Sequence, residues 1–127
     1  MKNLNKLYWL KQEVIQIENQ IRELTILSAF EMSGMPSSNS VSSPVEQFYN
    51  RLDKLRVKLV KAKTKVAQET ERLESYIEKI EDPEIRVLAR LRYIECKKWE
   101  SIGDEMHMDR RTASRKLERY FGKEENQ

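Results

Sequence analysis

Two stretches of this chain place apolar residues at alternating spacings of three and four, and that periodicity leaves little choice of backbone. The first holds Leu7, Leu10, Val14, Ile17, Ile21 and Leu24. The second holds Val45, Phe48, Leu52, Leu55, Leu59, Ala62, Val66, Leu73, Tyr76 and Ile80, interrupted at Glu69. Such spacing collects each set on one stripe of a helix and makes it a coiled-coil seam. The intervening positions, Lys11, Gln12, Glu13, Glu18, Asn19 and Gln20 among them, keep the opposite side wet. With three Gly and three Pro in 127 residues, the chain lacks the turn residues that many short strands require, which excludes a β-rich fold. A charged fraction of 35 % suits long solvated helices.

Between the seams, residues 33–44 contain two prolines, one glycine and six serines, a composition that favours irregular backbone and reads as a linker. Its end reads as a helix start, with Ser43 as cap, Pro44 in the first turn and Glu46 three residues after Ser43, as in a capping box. Helices over about 3–32 and 45–81 would be roughly 45 and 55 Å long at 1.5 Å per residue. Two helices make a thin core, so the arm is expected to self-associate through its seams. Asp82-Pro83-Glu84 then closes one helix and opens another: Asp82 caps, Pro83 takes the first position, and Glu84 complements the positive helix end. The expected organisation is an arm over 1–81, a second module over 82–123 and a tail over 124–127. No apolar run approaches the roughly 18 residues of a membrane span. One cysteine and an N-terminus unlike a signal peptide point to a reducing, cytoplasmic location.

Charge on the second long helix is segregated. Residues 51–65 carry Arg51, Lys54, Arg56, Lys58, Lys61, Lys63 and Lys65 against Asp53 alone, whereas residues 66–84 carry seven acids against Arg72 and Lys79. The net charge of +3 hides this dipole. A solvated helix face explains it, and so does a strip that tracks a nucleic-acid backbone or docks a partner; the sequence leaves both readings open.

Residues 83–121 break into three short helical patterns. The first carries Ile85, Leu88, Leu91 and Ile94; the second places Trp99, Ile102, Gly103 and Met106 on one side; the third, capped by Asp109, turns Ala113, Leu117, Tyr120 and Phe121 inward. This is a helix-turn-helix pattern. Gly103 allows a close helix crossing, Met106 and Met108 flank the turn as core plugs, and the three stripes are expected to meet without help from the arm. Taking 100° per residue from Ala113, the outer side of the third helix carries Arg111, Ser114, Arg115, Glu118 and Arg119, with Arg110 and Lys116 on its shoulders. Residues 110–123 hold six basic residues and one acid. A recognition helix needs this arrangement: arginines that pair bidentately with guanine in the major groove, and flanking cations that meet phosphates. Thr112 and Ser114 add hydroxyls for phosphate or base-edge hydrogen bonds. The candidate DNA-binding set is therefore Arg110, Arg111, Thr112, Ser114, Arg115, Lys116 and Arg119.

The run from Leu91 to Leu117 resembles region 4 of sigma-70-type factors, and more closely the sigma-like phage regulators of Gram-positive bacteria related to the ArpU and RinA late-transcription activators. Ile102-Gly103 matches the first helix of that motif, and Asp109-Arg110-Arg111-Thr112 matches the start of its DNA-reading helix. The resemblance covers about the last third of the chain. It departs at His107, where the family commonly has Gly in the turn; His accepts positive φ less readily than Gly. It implies a phage-type, sequence-specific transcriptional regulator in a bacterial host cell, with host RNA polymerase as a partner for the arm.

Nothing in the chain suggests catalysis. His107 and Cys96 stand alone of their kinds, with no second soft ligand at helical spacing for zinc. There is no Gly-rich phosphate loop and no nucleophile–base pairing, so neither enzyme activity nor a cofactor is expected. Trp99 and Tyr93 fall near the apolar stripes and read as core rather than base-stacking residues. The expectation is an all-α chain, a long two-helix coiled-coil hairpin arm followed by a small three-helix helix-turn-helix module. Its partner would be double-stranded DNA, with homo-oligomerisation through the arm and no membrane association. Two rival readings share these features: a phage small terminase subunit, which would assemble as a ring of about eight or more subunits, and a helical interaction protein whose basic helix grips an acidic protein surface.

Overall fold

The computed structural model describes residues 4–34 and 43–125, with side chains over 4–30 and 43–122. Among these residues the chain is all-helical, with no strand. Two long helices, α1 (Lys6–Gly34) and α2 (Pro44–Glu78), precede three short ones, α3 (Pro83–Ala89), α4 (Trp99–Met106) and α5 (Arg110–Glu125). The expected start of α2 is in place: Ser43 Oγ accepts the Glu46 N–H at 3.1 Å and Pro44 opens the helix. Its end comes earlier than residue 81, because Ile80 N–H closes onto the Ile77 carbonyl at 3.0 Å and tightens the last turn. Most of the expected 33–44 linker lies outside the described residues.

The described chain divides into two compact units, residues 10–65 and residues 1–9 with 66–127. In the first, the seam residues Leu10, Val14, Ile17, Ile21 and Leu24 of α1, and Leu55, Leu59 and Ala62 of α2, are half-buried, and Leu52 is buried. Leu10, Glu13 and Ile17 line one cleft with Lys58, Lys61, Ala62 and Lys65, so the two helices run antiparallel as a hairpin. Ser28 takes the seam position after Leu24 and is buried, whereas Leu27 and Phe30 leave the seam and are 60 % and 74 % exposed.

In the second unit, Ile77 near the end of α2 and Ile80 just beyond it join Ile85, Leu88, Ala89, Ile102, Ala113, Leu117 and Phe121 in one buried core, with Leu4 and Tyr76 packed against it. The stripes of the three short helices therefore meet not only one another but also the residues at the end of α2 and just beyond it. Each fully buried Leu or Ile contributes about 1.5–3 kcal/mol, so two isoleucines form a substantial share of so small a core. Glu69, the interruption in the second seam, is also buried, and Arg72 one turn on forks its carboxylate through Nε at 2.8 Å and through Nη2. That hydrogen-bonded pair holds the Glu69 carboxyl below its ordinary value of 4.5 against the opposing effect of burial.

Candidate nucleic-acid interface

Asp82 opens the module as its sequence implies: its side chain accepts the Glu84 N–H at 2.9 Å, and Pro83 takes the first turn of α3. Arg86 reaches back to the Ile80 carbonyl at 2.7 Å and fixes the join. The helix expected to continue to Ile94 changes pitch instead. After Ala89 it widens into a π-helical turn over Arg90–Ile94, with the Glu95 N–H on the Arg90 carbonyl at 2.9 Å. Arg90 Nε is anchored there to the two Glu74 carboxylate oxygens at 3.2 and 3.3 Å. The chain leaves through Cys96, whose φ of 59° is left-handed, which makes it a loop residue. Arg92 lies over the Trp99 ring at 4.8 Å from its centre and donates to the Lys97 carbonyl at 3.0 Å, tying the loop to the start of α4. Beside it Asn5, Tyr8, Trp9, Arg92, Cys96 and Lys98 line a cleft of about 370 Å³. Tyr93 and Trp99 are core-facing: the Tyr93 ring meets Phe121 edge-on at 5.7 Å, and burial pushes its phenol above its ordinary value.

The turn between α4 and α5 is built around Gly103 and His107. His107 adopts φ 54° and ψ 44°, the left-handed cap at which the chain reverses. Its N–H and that of Met108 both bond to the Gly103 carbonyl, the latter at 3.0 Å. Gly103 is buried, and a Cβ on it would stand 2.7 Å from the Met108 carbonyl and 3.1 Å from the Arg110 nitrogen. The close approach is thus between α4 and the turn leading into α5. Met106 and Met108 pack against the core on either side. Asp109 caps α5, its carboxylate 3.4 Å from the Arg111 N–H and its carbonyl 3.0 Å from the Ala113 N–H.

With Ala113, Leu117 and Phe121 buried, α5 turns the opposite face outward. Arg110, Arg111, Thr112, Arg115 and Arg119 are exposed. None of the four arginines is in an ion pair among the described residues. Ser114 and Lys116 are held differently: Ser114 Oγ meets Glu118 Oε1 at 3.2 Å, and Lys116 Nζ meets Glu84 Oε1 of α3 at 2.9 Å. The candidate residues therefore separate into an outward group of five and two whose polar ends are held by acids of the module. Sequence periodicity places Lys116 on the shoulder but gives no sign of Glu84, which is remote in the chain. The exposed cations thus lie along one face of a single helix.

No group of three or more metal-ligating side chains occurs among the described residues, and no described helix is long and apolar enough to cross a membrane. Comparison with protein-family models, curated proteins and solved structures gives no match.

Proposed function

We propose that this protein is a sequence-specific DNA-binding transcriptional regulator of phage type, acting by binding rather than catalysis in the cytoplasm of a bacterial host. The observation that carries this reading is the outward face of α5. Arg111, Thr112, Arg115 and Arg119 stand exposed on a helix whose other side is locked into the core and whose start is fixed by the Gly103–His107 turn. A helix so held enters a major groove as a rigid unit, its arginines free to pair with base edges. The resemblance of residues 91–117 to sigma region 4 supports the same assignment and brings host RNA polymerase in as a second partner.

The hairpin unit supplies the oligomerising element. It leaves Ile15, Leu27, Phe30, Tyr49, Val57 and Val60 each at least 46 % exposed, more apolar surface than a solitary hairpin hides. Self-association would join two short half-sites into a target of useful specificity. Selection of binding sites from a random duplex library tests the reading: enrichment of one motif over successive rounds is the expected result. Uniform retention of all sequences, or no binding at low salt, overturns it.

A further inference from the structure

The basic strip of α2 has a geometry that its composition does not reveal. Arg51, Lys54, Lys58, Lys61 and Lys65 follow one another at spacings of three, four, three and four, and each immediately precedes a seam residue, Leu52, Leu55, Leu59, Ala62 and Val66. The five cations therefore form one row parallel to the seam, about 100° around the helix from it. All five are exposed. Lys58, Lys61 and Lys65 line the cleft between α1 and α2, whose other walls are Leu10, Ile17, Ala62 and the acid Glu13. Among the described residues none of the five is in an ion pair. Within the same stretch Arg56 is held instead by Asp53.

Like charges three or four residues apart destabilise a helix, so an uninterrupted row carries a standing repulsion that an anionic partner relieves. The row spans about 21 Å at 1.5 Å per residue. Duplex DNA carries one phosphate charge per about 1.7 Å of axis over its two strands, so a straight row of that length comes within reach of several phosphates on the side of the duplex that faces it. A membrane surface fits less well. An interfacial helix needs an exposed apolar band beside its cations. Here one flank of the row is the half-buried seam, and on the other the exposed Val57 and Val60 are interrupted by Asn50, Asp53 and Thr64, so no continuous apolar band lies beside the cations.

We infer that the row Arg51, Lys54, Lys58, Lys61 and Lys65 is a second, sequence-independent DNA contact that grips the phosphate backbone of a duplex. The choice of DNA among polyanions rests on the assignment of α5 as a DNA-reading helix; the row itself does not. The 127-residue chain carrying Lys54→Gln, Lys58→Gln, Lys61→Gln and Lys65→Gln, checked for unchanged helicity by circular dichroism, is titrated with a duplex of random sequence over a range of salt. The logarithmic salt slope is expected to become shallower by about 3.6, at about 0.9 for each phosphate no longer neutralised. The double variant Lys61→Gln/Lys65→Gln, which leaves more of the surface intact, is expected to show about half of that change. An unchanged slope and affinity in both variants overturns the inference. So does a result in which the four substitutions spare DNA binding but abolish binding to phosphatidylserine vesicles or to an acidic polypeptide. Arg111→Ala/Arg115→Ala, measured in parallel on a selected site, separates the two readings. If it weakens binding while the lysine variants do not, α5 is upheld and the row fails; the reverse pattern upholds the row and removes α5 from DNA recognition.

Discussion

Gly103 lies so close beneath Met108 that a Cβ at position 103 would stand 2.7 Å from the Met108 carbonyl oxygen, inside any real contact distance. The same glycine's carbonyl accepts the N–H groups of His107 and Met108, so the backbone cannot retreat without breaking the turn. Gly103→Ala is therefore expected to destabilise the module by about 1–3 kcal/mol, the usual cost of overpacking. It should also shift the start of α5. Thermal unfolding measures the destabilisation, and a variant that melts with the wild type refutes the close approach.

Ile80 belongs by periodicity to the arm but is 2 % exposed within the core of the module. Ile80→Ala should cost about 2–5 kcal/mol, as buried large-to-small changes do. DNA binding should weaken with it as the module loosens. If Ile80→Ala instead leaves the melting of the module untouched, Ile80 does not complete that core.

The depressed Glu69 carboxyl predicts a pH dependence of definite sign. A carboxyl whose folded value lies below its unfolded one contributes stability above the ordinary value, 4.5 here. That contribution disappears as pH falls through the folded value. Melting temperature should thus drop on acidification below about 4.5 more steeply in the wild type than in Glu69→Gln. Glu69→Leu completes the seam and removes a buried carboxylate but deprives Arg72 of its partner; with 46 % of the Arg72 side chain exposed its charge stays solvated, and the net change in stability should be small. Parallel acid limbs for wild type and Glu69→Gln would show that the pair carries no such linkage.

Arg111 and Arg115 face away from Ala113 on α5 and are exposed. Each substitution to Ala should cost about 1–3 kcal/mol on a selected site and relax the sequence preference there. Competition between selected and scrambled duplexes checks this; equal losses on both for Arg111→Ala would reduce its role to a phosphate contact.

Leu55 and Leu59 are half-buried on the α2 seam beside a buried neighbour, Leu52. Replacing both by Asp places unpaired carboxylates in an apolar seam, at a cost of several kcal/mol. The double variant should no longer self-associate and should bind the specific site more weakly. Wild-type mass by light scattering together with full affinity would remove the arm from assembly.

What the residues determine locally is the helical content, the starts of α2 and α3, and the polarity of α5. Ser43, Asp82, Pro83 and Asp109 act within a turn of themselves, and a three/four spacing folds onto one stripe whatever surrounds it. His107 and Gly103 were legible for the same reason, since a turn constrains the residues that form it. Tertiary structure alone decided which stripes met. Ile77 falls outside the seam spacing read for α2, and nothing in that spacing marks Ile80 as core of the following module. Nothing near Lys116 or Arg90 announces Glu84 or Glu74, because those pairs depend on distances between elements rather than on spacing along one. The π-helical turn at Arg90–Ile94 escaped the sequence for a related reason: a helical stripe looks the same whether its last turn is α or π, and the wider pitch occurs where Arg90 pairs with Glu74 and Arg92 stacks on Trp99.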